Sequence, residues 1–142
     1  MNTLNTTPST IRADLQSALR TMQDKYERLE VLRTRAESAG AIRYDKDRVQ
    51  SSHSYDLTDV ILHIIDAEDA FETAKADYDY LIYVFNVYMD TAHFDTEAKR
   101  IWMCRYGHCW SIGRTAKAIG ATRSHVQYIL DKNEPDFLSV PA

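Results

Sequence analysis

The chain has 142 residues, 44% hydrophobic and 27% charged, a size and balance that fit about one globular domain with an appendage. No run approaches the roughly 20 apolar residues that a bilayer crossing requires, and the first twenty residues lack the basic-then-apolar plan of a secretion signal, so neither a membrane partner nor export is expected. Two cysteines are too few for a disulfide framework, and the expected setting is a reducing, cytoplasmic one.

Only four Gly and three Pro interrupt the sequence, which predicts an all-α fold built on long helices. Residues 1–9, rich in Asn and Thr, read as a flexible leader, and Pro8, Ser9 and Thr10 mark a helix start. The first helix is predicted over 10–38, because Ile11, Leu15, Leu19, Met22, Tyr26, Leu29, Leu32 and Ala36 step by three or four and form one stripe. Gly40 then supplies a stop. Residues 39–55 read as a connector without periodicity; Arg43, Lys46, Arg48 and Gln50 within it are candidate contacts to DNA or to a partner, with a capping or turn segment as the plain alternative.

The second helix is predicted over 56–93, with Asp56 as N-cap. Leu57, Ile64, Phe71, Tyr78, Phe85 and Ala92 recur at a strict interval of seven, and Val60, Ile61, Ala67, Ala74, Leu81, Ile82, Tyr88 and Met89 fill intermediate positions, the pattern of a coiled-coil seam. A helix of this length extends about 55 Å. The two helices are therefore expected to fold back as an antiparallel, coiled-coil-like hairpin over 10–94. Between Asp56 and Asp95 ten acids face Lys75 alone, and the aromatic surplus of Tyr80, Tyr83 and Tyr88 exceeds what a hairpin hides. That surplus predicts a homodimer through the hairpin or a docking partner.

A compact C-terminal unit is predicted over 95–133, followed by a flexible tail over 134–142. Asp95 or Thr96 would cap a helix from Glu97 to Tyr106 that ends at Gly107, with Ile101 and Cys104 on its core side. A second helix is expected from about Ser111 to Ile119 and a third from Thr122, its N-cap, to about Lys132. Within the twenty residues from Ile112 to Asp131, Ala116, Gly120 and Val126 stand at the fifth, ninth and fifteenth positions of a helix-turn-helix pattern. Each meets a steric demand: a small residue at the helix crossing, a residue able to take φ > 0 in the turn, and a β-branched plug for the core. Such a unit lays its second helix in the DNA major groove. Thr122, Arg123, Ser124, Gln127 and Tyr128 are the candidates for reading bases, with Arg123 suited to guanine and Gln127 to adenine. Arg105, Arg114, Lys117 and Lys132 are the candidates for phosphate contact. From Thr96 onward seven bases face four acids, so the basic charge lies where double-stranded DNA would sit despite the net charge of −4.

Two resemblances follow from these residues. Cys104-Arg105-Tyr106-Gly107, Ser111-Ile112, Thr115-Ala116, Ile119-Gly120 and Arg123-Ser124-His125-Val126 resemble the helix-turn-helix of region four in bacterial sigma factors, which binds the promoter −35 element. That family has Leu where Cys104 stands and acids where this chain has Gly113 and Arg114. Asp47-Arg48-Val49-Gln50-Ser51-Ser52, placed between a charged helix and the Leu57 to Glu68 segment, is similar to phage regulators of the RinA and ArpU kind, found in prophages of Gram-positive bacteria. The second resemblance spans roughly residues 10–132. It implies a phage or prophage transcription regulator in the cytoplasm of a bacterial host cell, with an N-terminal hairpin joined to a sigma-like tail and a link to late-gene transcription; the hairpin is expected either to dimerise or to meet RNA polymerase.

Other chemistries have little in the sequence to carry them. Cys104, His108 and Cys109 lack the second ligand pair that a tetrahedral zinc site requires, and no nucleophile, base and acid are specified together, so no metal, cofactor or enzymatic activity is expected. The rival expectation is an interaction protein that occupies a basic groove on a host protein as a DNA mimic does, through Asp66, Glu68, Asp69, Asp77, Tyr80 and Tyr83. A small DNA-packaging subunit is a third possibility, separable by the large rings such proteins form.

Overall fold

The computed structural model describes residues 5–45 and 51–142, and side chains over 5–38 and 58–142. The fold is all-helical, with no strand among the described residues: α1 is Ile11–Asp45, α2 Ser51–Thr91, α3 Thr96–Trp102, α4 Ile112–Ile119 and α5 Arg123–Leu138. A π-helical turn, Met103–Gly107, continues α3. The chain forms two compact units, Arg20–Ala76 and the combination of Met1–Leu19 with Asp77–Ala142, so each long helix contributes to both.

In the Arg20–Ala76 unit, Leu29 and Leu32 of α1 are buried with Ala67 of α2, and Ile64 packs against them. The rings of Tyr26 and Phe71 lie 5.6 Å apart, and Arg33 reaches both Glu30 and Glu68. The expected stripe thus supplies the contacts, although Tyr26 stays half exposed. Ile61, counted with the apolar seam of α2, is also exposed, as are Leu62 and Ile65.

The other unit is built around rings. Phe85 and Tyr88 from α2, Phe94 from the following turn, Trp102 from α3 and Phe137 from α5 are all buried, and Trp102 lies 4.8 Å from Phe137 and 5.1 Å from Phe94. Ile11 and Leu15 close the core from the first turns of α1. Arg12 lays its guanidinium over Trp102, Tyr106 and Phe137 and meets Glu134 at 3.4 Å.

Several predicted boundaries move. Gly40 does not stop α1, which runs on to Asp45; one glycine costs about 1 kcal/mol in a helix interior, and its Ala neighbours are strong helix formers. α2 begins at Ser51, so Asp56 is inside the helix and not at its cap, and the connector is correspondingly shorter than 39–55. The leader is tied down where it is described: Tyr88 donates its hydroxyl to the Thr6 carbonyl at 3.0 Å, and Thr6 donates to Asp14 at 2.6 Å. This is where one of the surplus tyrosines is used. Nor is 134–142 a loose tail, because α5 continues through Pro135 to Leu138 and both Phe137 and Val140 are buried. Pro135 withholds one N–H from the helix ladder, but burying a phenyl ring contributes about 1.5–3 kcal/mol and holds the last turn in place.

Gly107 is also not a left-handed helix stop. It is buried in the π-helical turn, where a Cβ would fall on Met103 Sδ, and the left-handed residue comes two positions later at Cys109, with φ 59°. Phe137→Ala is expected to lower unfolding stability by about 3–5 kcal/mol in urea titration, as for other phenyl truncations in a packed core; a change under about 0.5 kcal/mol would mark the segment as a tail.

Candidate nucleic-acid interface

The candidate surface is set by how α4 enters, turns and hands over to α5. Ser111 caps α4, its hydroxyl accepting the Arg114 N–H at 3.1 Å. Gly120 ends the helix with φ 80°, a left-handed conformation that penalises any Cβ by about 1–2 kcal/mol, and its N–H and that of Ala121 both donate to the Ala116 carbonyl at 2.9 Å. Thr122 then caps α5, accepting the His125 N–H at 3.1 Å. Ala116 is 4% exposed and Val126 fully buried, so the residues at the crossing and the plug occupy the positions that their spacing demands.

The outward face of α5 collects the predicted base-reading residues. Arg123, Ser124, Gln127 and Tyr128 are exposed in two rows spaced by one helical turn, while Val126, Ile129, Leu130 and Phe137 face the core. Gln127 donates to Asp131 at 2.9 Å, and the Lys132 ammonium lies 5.8 Å from the Tyr128 ring. Arg123 folds back across the turn onto α4: a Cβ at Gly113 would lie 2.9 Å from its Nη2.

The predicted phosphate contacts divide. Lys117 and Arg114 are exposed on α4, with the Arg114 guanidinium 4.1 Å from the centre of the Trp110 ring. Arg105 is half-buried: it stacks on Tyr106 and donates to the Trp110 carbonyl at 3.4 Å, contacts that hold the turn before α4. Arg43, Lys46, Arg48 and Gln50 fall outside the described side chains. Of the acidic set, Asp66 and Asp69 are exposed, Asp77 is half-buried, and Glu68 pairs with Arg33 at 3.3 Å. Tyr80 is 41% and Tyr83 65% exposed.

In the sequence Gly113 stands out only as a departure from the sigma-factor pattern, and nothing there marks Trp110 or the pair between His125 and Glu97 at 3.0 Å, which ties α5 to α3. Glu97 and His125 are 28 residues apart, and nothing local couples them. Both thiols are pushed up by burial, with Arg100 and Arg114 drawing Cys104, and Arg105 drawing Cys109, down by less. They are therefore protonated at neutral pH. Among the described residues no three His, Cys, Asp or Glu side chains lie close enough to hold a metal, and no helix is long and apolar enough to cross a membrane. No protein family matches the chain, and neither curated proteins nor solved structures give a significant match.

Tyr78 links the long α2 helix to this region by donating to the Gly107 carbonyl at 2.6 Å. Burial, then the nearby Cys109 and Asp79, pushes its phenol up. The resulting stability is fully present below a phenol's ordinary value of about 10 and is lost as pH rises from there through the native value. Tyr78→Phe is expected to cost about 1 kcal/mol at neutral pH and to flatten the alkaline decline in thermal midpoint. An unchanged decline would rule out this contribution.

Proposed function

We propose that the protein is a phage or prophage transcription regulator that reads promoter DNA with the N-terminal part of α5, activates late genes, and performs no chemistry. The observation that carries this reading is the left-handed turn at Gly120 between two capped helices, with Ala116 and Val126 packed beneath it. That arrangement supports presentation of the first turns of α5 to a major groove. Arg123 offers the two donors that guanine accepts, and the Gln127 amide offers the donor and acceptor that match adenine, at about 1–3 kcal/mol of discrimination for each good pair. Lys117, Arg114 and Lys132 lie on the same two helices or at their ends, where phosphate attraction acts locally within a screening length of about 8–10 Å.

In this reading α1 and α2 form a coiled-coil-like hairpin that dimerises the protein or meets RNA polymerase. The exposure of Ile61, Leu62 and Ile65 favours a protein partner there. Recruitment then needs only shared contacts among protein, DNA and polymerase, since each 1.4 kcal/mol raises promoter occupancy about tenfold. A second reading rests on the exposure of Tyr83 and of the carboxylates Asp66 and Asp69: an inhibitor that docks acidic α2 on a basic host protein.

The test is enrichment of sheared phage and host genomic DNA on purified wild-type protein and on Arg123→Ala, at two salt concentrations. A discrete site upstream of a gene block, lost in the variant and weakened by salt, is expected. No enrichment on wild type, with function abolished by reversing Asp66 and Asp69, would replace the regulator with the inhibitor.

A further inference from the structure

Arg123 differs from the other candidate reading residues in having its guanidinium laid against another helix. Gly113, in the first turn of α4, has its Cα face covered by this group: a Cβ built there would meet Nη2 at 2.9 Å and both Cζ and Nε at 3.2 Å. All three distances fall on one planar group, so it is the flat guanidinium, and not its tip alone, that rests on the glycine. Gly113 has no left-handed backbone to explain it, since Gly120 is the glycine with positive φ among the described residues. A glycine inside an eight-residue helix is unfavourable by propensity, and nothing in the helix itself asks for one here.

We infer that Gly113 is a specificity-determining positioning residue: its bare face is the seat that fixes where the Arg123 guanidinium is presented to DNA. This rests on the regulator reading above. An arginine at the start of an exposed helix has four side-chain torsions and would sample many directions in solution. Seated across the turn, the fork is held in one plane before DNA arrives, and less freedom is lost when it pairs with a base edge. The seat also fixes how far the fork reaches past the turn. A methyl group at position 113 lifts the guanidinium outward and changes both the plane and the reach of its two donors. Arg114, the neighbour on α4, is occupied with the Trp110 ring and does not share the seat.

The inference is tested by Gly113→Ala alone, Arg123→Ala alone and the double variant, each measured for binding to the enriched genomic site and to versions of it randomised one base pair at a time. Gly113→Ala is expected to weaken the preferred site by about five- to tenfold, to relax preference at the base pair that Arg123→Ala relaxes, and to leave the other positions unchanged. In the double variant the alanine at 113 should add nothing to the loss from Arg123→Ala, because both changes act through one side chain. Thermal melting supplies a readout that a structural role would move in the opposite direction: alanine favours the helix, so Gly113→Ala should melt at or above wild type. Wild-type binding that Gly113→Ala leaves unchanged overturns the inference, as does a loss that persists in full without Arg123. If the wild type selects no site, the regulator reading falls, and the inference with it.

Discussion

Trp102 touches the rings of Phe94, Tyr106 and Phe137, with Phe85 at 6.4 Å, and carries the Arg12 guanidinium on its face. α1, α2, α3 and α5 each bring a side chain to this cluster, so Phe137 anchors the C-terminal end of α5 while Arg123, Ser124, Gln127 and Tyr128 on the outward face of its first turns stay exposed. A helix that must present side chains to a partner needs this asymmetry. If Phe137 let go, the outward rows of α5 would keep only the nearer anchors, Val126, Ile129, Leu130 and the His125–Glu97 pair, to fix their direction. The π-helical turn adds a second restraint by placing the Gly107 carbonyl where Tyr78 can donate to it.

Much of the C-terminal geometry was legible because it is local. Thr122 as a cap, Gly120 as a left-handed turn, and Ala116 with Val126 as buried partners all follow from what a short turn between two helices requires, and each requirement spans only a few residues. Asp95 or Thr96 as the cap of α3 was readable for the same reason, and it is the Asp95 carboxylate that accepts the Ala98 N–H at 2.8 Å. Periodicity is a property of one helix, so the stripe of α1 was legible, as were Tyr78 and Phe85 among the sevenfold positions of α2; Leu57 of that set lies outside the described side chains, and Ile61 beside it is exposed.

What the sequence concealed depends on partners distant along the chain or on small competing energies. Gly40 looked like a stop, but one unfavourable residue does not end a helix that strong formers continue on both sides. Phe137 and Val140 fall in the stretch expected as a tail, and only the ring cluster reveals why the helix persists through Pro135. Arg105 matched a phosphate contact by charge, yet its guanidinium is held by Tyr106 and Trp110, a use that charge alone does not announce. The seat of Arg123 on Gly113 was likewise invisible, because it exists only once the turn at Gly120 brings α4 and α5 together.

Whether α5 is the working surface is best decided residue by residue. The measurement is the change in backbone amide resonances of the labelled protein as a duplex carrying its selected site is titrated in, with an unrelated duplex as control. The largest changes are expected over Thr122–Tyr128 and at Lys117, with Asp66 and Asp69 of α2 unmoved. Changes of equal size with either duplex, or changes that avoid α5, would show that α5 does not read DNA.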